Sequence, residues 1–175
     1  MLSKLVDLET FLAFKAQELL TRKIVFTNGC FDLIHPGHVD LLTKAKGMGE
    51  TLVIGLNSDR SVKEIKGLNR PINLQGDRAN VLSSIQWVDY IMLFDQPTPL
   101  TLIEAIEPDV LVKGGDWPIE TIVGSNLVKK RGGRVLSLPY LDQYSTTGII
   151  NKILKMTNPE DTDYDLLSVD RKSKK

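Results

Sequence analysis

Along this chain, short apolar runs alternate with stretches in which apolar residues recur every three or four positions. IVFT at 24–27, TLVIGL at 51–56, YIMLF at 90–94, DVLVKG at 109–114 and RVLSLPY at 134–140 are rich in β-branched and aromatic residues. Each is too short for an ordinary helix and reads as a buried strand. Between them the period changes. Val39, Leu41, Leu42 and Ala45 gather on one side of a helix over 38–48 that GMG closes, and Ala79, Leu82, Ile85 and Trp87 do the same over 77–88. Further helices are predicted over 99–107, over 119–131 with RGG at its end, and over 146–156. Strands alternating with helices require crossover connections, which make a parallel sheet covered on both faces. The expected fold is α/β, a single doubly wound domain over 23–157 with a five-stranded parallel sheet.

Two ends and one connection stand outside that alternation. An amphipathic helix is expected over 3–21, offering Leu5, Leu8, Leu12 and Leu19 to the domain, so residues 1–22 are read as a docked N-terminal helix. Residues 158–175 are charged and polar and are expected to form a frayed tail. The stretch 57–76, NSDRSVKEIKGLNRPINLQG, reads as a long loop from a strand to the next helix. Connections of that length are usually functional or disordered. Arg60, Lys63, Lys66 and Arg70 within it favour function.

Composition narrows the partners. At 175 residues the chain suits one domain. Its 22 basic and 22 acidic side chains cancel, so no global field draws it to nucleic acid or to an anionic membrane. Any polyanion must be gripped locally. The single cysteine, Cys30, leaves no intrachain disulfide, as suits a reducing compartment. No run approaches the roughly 20 apolar residues of a membrane span, and MLSKLVDLETF carries acids where a signal peptide would be apolar. The expected location is cytoplasmic.

Several familiar motifs are missing. There is no GxGxxG after a strand, no GxxxxGK[ST] and no serine elbow. DTDYD at 161–165 starts like a calcium loop but continues into Leu166 without the required glycine or closing glutamate. What remains is TNGCFDLIHPGH at 27–38, which holds both histidines of the chain. As metal ligands, His35 and His38 would need Cys30, Asp32 or other carboxylates to reach three or four donors. As core histidines they would sit oddly in a loop beside Pro-Gly, where function concentrates. A third reading follows from position. The first strand ends, NGCFD turns, and a helix opens near Pro36–Gly37. The free amides of that helix start favour an anion. The carboxyl end of a strand in an open parallel sheet is also where ligands bind. Imidazole N–H groups there can donate to phosphate oxygens without carrying full charge.

GCFDLIHPGH resembles the GxFDxxHxGH signature of the HxGH nucleotidyltransferase superfamily, which includes cytidylyltransferases and phosphopantetheine adenylyltransferases. SVKEIKGLNRPIN, GDRANVL, WVDYIMLFDQPTPLTLIEAIEPDVLVKGGDW, IVGSNLVKKRGGRV and YSTTGIINKI follow in order, extending the resemblance over roughly 20–155. Together they are most similar to heptose 1-phosphate adenylyltransferases. The resemblance implies a Rossmann-like fold and the transfer of AMP from ATP to a sugar 1-phosphate, with D-glycero-D-manno-heptose 1-phosphate as the expected acceptor. ADP-heptose and pyrophosphate would be the products, for bacterial surface glycans. Mg2+ would accompany ATP, with no separate metal site. Such relatives stand alone or are fused to a sugar kinase, and this length implies the stand-alone form. They often associate as homodimers or higher homo-oligomers.

The resemblance also implies residue roles. His35 and His38 would contact the nucleotide phosphates, with His38 steadying the transition state. Asn28 and Gly29 fall in the same nucleotide-binding turn, where the amides of Cys30 and Phe31 would cradle the α-phosphate. Cys30 stands where many relatives have threonine, so packing rather than nucleophilic chemistry is expected of its thiol. Lys66 best matches the lysine that reaches the phosphates, and Lys63 is the alternative. Arg70 and Arg78 would bind anionic oxygens, a surface ion pair being the other reading for Arg78. Ser145, Thr146 and Thr147 would grip the β- and γ-phosphates while Ser or Thr caps the last helix. On the sugar side stand Gly114, Gly115, Asp116, Trp117 and Asp32, the last as a sugar or structural contact. Gly124 and Asn126 would touch adenine or ribose, or simply pack. Relatives that use CTP often carry an arginine just before this STT, and LPYLDQYSTT has none. The alternatives are a cytidylyltransferase acting on glycerol 3-phosphate or a similar alcohol phosphate, a non-catalytic nucleotide-binding module, and, more remotely, a zinc hydrolase.

Overall fold

The five apolar runs are strands in the computed structural model, which describes residues 4–139 and 141–157. They are β1 (Ile24–Gly29), β2 (Thr51–Asn57), β3 (Tyr90–Phe94), β4 (Val110–Gly114) and β5 (Arg134–Leu138). All pair in parallel in the order β3-β2-β1-β4-β5. The helices are α1 (Leu8–Glu18), α2 (Pro36–Lys46), α3 (Asp59–Lys66), α4 (Gln75–Ser83), α5 (Leu100–Ile106), α6 (Ser125–Lys130) and α7 (Thr146–Thr157).

Side chains on the strands alternate between two cores, as a two-residue period requires. Phe26, Val53, Met92 and Leu111 join Phe11 of α1, Ile103 and Ile106 of α5 and Val128 of α6 on one face. Val25, Leu52, Ile54, Ile91, Val110 and Val112 join Leu41, Leu42 and Ala45 of α2 and Ala79 and Leu82 of α4 on the other. Burial on both faces explains why the strands read as continuous apolar runs instead of alternating ones. The strand order reverses direction between β1 and β4. That switch point opens a crevice at the strands' carboxyl ends.

Four expectations are corrected in detail. The N-terminal helix starts at Leu8, not residue 3, because Asp7 caps it: its Oδ1 accepts from the Thr10 amide at 2.7 Å. Residues 4–6 instead run along the outer edge of β3, where Val6 N–H donates to the Ile91 carbonyl and Ile91 N–H to that of Lys4. Of the expected docking leucines, Leu19 is buried and Leu8 and Leu12 pack against the same core, where Phe11 joins them fully buried; Leu5 stays 37% exposed. The supposed 57–76 loop contains α3. Ser58 Oγ caps it through the Ser61 amide at 3.1 Å, and Gly67 ends it at φ +94°. Only Ser61 and Val62 of α3 are buried, so it left little apolar signature. The single helix expected over 119–131 divides into a 3-10 turn (Ile119–Thr121) and α6. Gly124 makes the break, at φ +85° and packed so closely that a Cβ would lie 2.8 Å from Ile103. The fifth strand ends at Leu138, ahead of Pro139. The tail at 158–175 lies outside the described residues. Among the described residues no helix is long and apolar enough to cross a membrane.

Candidate active site

After β1 the chain makes a contorted turn. Phe31 (φ 47°) and Leu33 (φ 49°) both occupy the left-handed region, unusual for residues of their size. Strain of this kind persists where surroundings over-determine it, commonly at functional sites. The turn drives the Phe31 ring inward, below Gly29 and 5.3 Å from the ring of His38. His35 caps α2 without a side-chain capping bond, and Pro36 supplies the first turn. The two imidazoles stack, with centroids 3.8 Å apart and planes 23° from parallel. Gly37 makes room for this: a Cβ there would come within 3.1 Å of the His35 ring.

The pair is electrically neutral at pH 7. Burial, and then the neighbouring His35, depress His38 to about 4 against a small opposing pull from Asp32. Burial lowers His35 as well. Both Nδ1 atoms are buried without a hydrogen-bond partner, which leaves Nε2 as the ring atom each can present outward. Neutral stacked imidazoles are hydrogen-bond donors rather than a charged clamp.

Two buried ionic side chains, Arg78 and Asp32, hold the turn in place. Arg78 was expected at phosphate or in a surface ion pair. Instead it is buried, donating from Nε to the Asn73 carbonyl at 3.0 Å, from Nη1 to the Cys30 carbonyl at 2.6 Å and from Nη2 to Asp59 Oδ1 at 2.8 Å. Asp32, expected as a sugar or structural contact, takes the structural role. Its buried carboxylate is occupied by Arg70 Nε at 2.7 Å and by the amides of Ile72 and Asn73 at 2.9 and 3.0 Å. Burial raises the Asp32 pKa, but those donors outweigh it and hold the carboxyl below its ordinary value. With Nε anchored, Arg70 keeps its terminal nitrogens for other acceptors. The Asp32 carbonyl accepts from Thr146 Oγ1 at 2.6 Å, tying the start of α7 to the same turn. Ser145 caps α7 through the Gly148 amide at 2.9 Å, as its residue type suggested. Thr147 is exposed beside it.

Across the switch point, β1 and β4 are in register through Thr27 and Val112. The next residues meet: Lys113 Nζ donates to Asn28 Oδ1 at 3.4 Å. Lys113 was not among the predicted site residues. The available signal was a lysine inside the apolar run DVLVKG, where a charge needs a reason. Burial lowers its pKa, with Cys30 opposing and Lys66 adding to the shift. Burial pushes the Cys30 thiol up against the charges of Lys66, Arg78, Arg70 and Lys113, so the thiol stays protonated and is no nucleophile. Of the two candidate lysines, Lys66 is the one whose charge is felt at both Cys30 and Lys113. Lys63 is exposed one turn earlier on α3. Gly114 and Gly115 are buried beyond Lys113, Gly115 at φ +108° with its amide on the Leu138 carbonyl at 2.7 Å. Asp116 is exposed. Trp117 is 51% exposed, yet held by Nε1 to the Gly114 carbonyl at 3.1 Å and by its amide to Ser137 Oγ at 2.9 Å. Asn126 is exposed on α6, after Gly124.

Among the described residues no group of three or more His, Cys, Asp or Glu side chains is placed to hold a metal ion. What the crevice offers is neutral imidazole, hydroxyl and amide donors together with lysine and arginine side chains, a donor set for phosphates.

Fold and site together define a nucleotide-handling α/β domain of the nucleotidyltransferase type. A model of the cytidylyltransferase-like family matches residues 26–152, and the chain belongs to that family. Similar curated proteins are each called bifunctional protein HldE. That of Citrifermentans bemidjiense is 53% identical over 133 residues, 76% of this chain and 27% of its own length. That of Wolinella succinogenes is 56% identical over 132 residues, covering 75% and 27%. That of Campylobacter concisus is 48% identical over 159 residues, covering 91% and 32%. The chain therefore spans about a third or less of these relatives. Two solved structures share the fold. A lipopolysaccharide core biosynthesis protein from Thermoplasma volcanium has TM-score 0.55 and 24% identity, covering 71% of this chain and 99% of that one. A pantoate-beta-alanine ligase from Francisella tularensis has TM-score 0.57 and 15% identity, covering 90% and 82%.

Proposed function

We propose that this protein transfers AMP from magnesium-bound ATP to a sugar 1-phosphate, D-glycero-D-manno-heptose 1-phosphate being the acceptor, and releases ADP-heptose and pyrophosphate. The observation that carries the transfer is the stacked, neutral histidine pair at the start of α2, beside the switch point and roped to α7 through Asp32 and Thr146. The choice of acceptor rests on identities of about half to the HldE relatives and on the ordered motifs.

In the reaction an oxygen of the acceptor phosphate attacks the α-phosphorus and a new P–O bond forms. The bond from that phosphorus to the bridging oxygen breaks, and pyrophosphate leaves with the electron pair. The attacking oxygen is already anionic, so no side chain need remove a proton. Catalysis reduces to positioning and to stabilising charge on phosphoryl oxygens. Neutral imidazoles preorganised in a partly dry site suit that task, because they donate without reorganising. Magnesium bound to the triphosphate would neutralise part of its charge. His35 and His38 face the triphosphate, Ser145–Thr147 add hydroxyl and amide donors, and Lys66 and Arg70 supply positive charge. Arg78 acts from behind, by fixing the Cys30 carbonyl and so the turn whose amides meet the α-phosphate.

The test is a panel of ATP and CTP against heptose 1-phosphate, other sugar 1-phosphates and glycerol 3-phosphate, read by pyrophosphate release. Turnover confined to ATP with heptose 1-phosphate is expected. Turnover with CTP and an alcohol phosphate in its place would overturn the reading, as would tight ATP binding with no release for any acceptor.

A further inference from the structure

We propose that Lys113 holds the phosphate of the acceptor substrate, on the side of the crevice away from the histidine pair. The inference rests on the nucleotidyl-transfer reading above and extends it to a residue with no part in the HxGH signature.

Four observations support it. The first is topological. Phe26 and Leu111 point into the core under α1, α5 and α6, and Asn28 and Lys113, two residues further along each strand, point to that same face. α2, which carries the histidines, packs on the opposite face through Leu41, Leu42 and Ala45. Lys113 and the imidazoles thus flank the end of β1 from opposite faces of the sheet. In-line displacement at phosphorus needs the attacking and leaving oxygens on opposite sides. If the leaving pyrophosphate lies at the histidines and the start of α7, the incoming phosphate lies toward Lys113.

The second observation is a missing counter-charge. Lys113 is half-buried, and among the described residues its one hydrogen-bond partner is the neutral Asn28 amide oxygen at 3.4 Å. Among the described residues no carboxylate pairs with it. A buried ammonium in that state is costly unless an anion joins it. The third is that Lys66, also without a carboxylate among the described residues, acts on Lys113 through space. Two such cations, within electrostatic reach of each other and of Cys30, point to a ligand of more than one negative charge. The fourth is the neighbouring wall. Next along the chain, Trp117 is half-exposed and anchored through Nε1 to the Gly114 carbonyl, which offers an indole plane for the body of the acceptor. The lowered pKa of Lys113 accords with a site that awaits its anion.

The experiment uses the full chain with Lys113→Met and Lys113→Arg, each checked by urea unfolding. Wild type is first assayed with magnesium-ATP and the phosphate panel. With whichever acceptor turns over, Lys113→Met should lower acceptor kcat/KM by about ten- to a hundredfold, the size of one charged hydrogen bond, through a raised KM. Affinity for a non-hydrolysable ATP analogue should stay at the wild-type value. Lys113→Arg should recover most of the loss. In wild type, acceptor kcat/KM should fall on the alkaline side as the lysine loses its proton, a limb that Lys113→Arg removes. A purely structural lysine would move neither the KM split nor the pH limb. If ATP-analogue affinity falls while acceptor KM holds, or if Lys113→Met changes neither, the assignment is wrong. If an alcohol phosphate turns over and no sugar phosphate does, the heptose reading fails while the same comparison still judges Lys113. If no acceptor turns over, calorimetric titration of inorganic phosphate into analogue-loaded protein decides: equal binding by wild type and Lys113→Met, or none by either, overturns the proposal.

Discussion

Replacing Arg78 by methionine separates a structural brace from a phosphate ligand. Methionine keeps the apolar stem in a pocket where Arg78 is 1% exposed, but removes every donor. Three acceptors are then stranded. The Cys30 carbonyl loses a 2.6 Å bond, the Asn73 carbonyl one of 3.0 Å, and Asp59 Oδ1 one of 2.8 Å. Each stranded carbonyl is part-buried and costs about 1 kcal/mol, the low end for an unsatisfied group. The Asp59 side chain is 24% exposed, so water takes over part of its loss. Removing one member of a buried ion pair costs about 3–5 kcal/mol, and these figures overlap rather than add. The expected loss is about 4 kcal/mol. For a domain of this size that lowers Tm by about 10 °C, at 2–4 °C per kcal/mol. In urea the midpoint should fall at constant m, in ligand-free protein. Arg78→Lys should give roughly half the loss, about 2 kcal/mol, since one ammonium cannot reach all three acceptors. A methionine variant within about 1 kcal/mol of wild type, well inside the ordinary range of surface and near-neutral changes, but with sharply weakened ATP binding, would refute the brace and return Arg78 to the phosphates.

Three further outcomes are expected. His38→Ala should reduce turnover by at least about a hundredfold, as for loss of one preorganised donor, with far-UV circular dichroism and melting close to wild type. Near-normal turnover in folded protein would remove His38 from the mechanism. Lys66→Ala should weaken handling of the triphosphate by about tenfold or more, while Lys63→Ala changes it less; steady-state kinetics in ATP should show the order, and its reversal would move the role to Lys63. The His38 shift also has a consequence for stability. Its folded pKa of about 4 lies below the ordinary value of 6.5, so as pH falls the unfolded chain takes up the proton first. Stability should therefore drop between about pH 6.5 and pH 4 by up to about 3 kcal/mol, and then level off in this component. Urea titrations of wild type and His38→Asn across that range should differ by this amount, and parallel curves would contradict the assigned burial.

The chain's local pattern determined a good deal. Short β-branched apolar runs located all five strands and the 3.6-residue period most helices, because burial on both faces of a strand or one face of a helix marks consecutive residues. Alternation of the two made the sheet parallel, since a parallel neighbour is reached only by a crossover. The turn chemistry of NGCFDLIHPGH placed the histidines at a helix start, and the structure brings them face to face there. Tertiary structure decided the rest. Helix α3 escaped notice because it buries only Ser61 and Val62, leaving no stripe to read. Asp32 meets Arg70 across 38 positions, Arg78 meets the Cys30 carbonyl across 48, and Lys113 meets Asn28 across 85. A charged residue in sequence announces only that it can pair. Whether it braces a loop or waits for a substrate depends on strand order and on what the fold delivers to its side, and neither is written in its immediate neighbours.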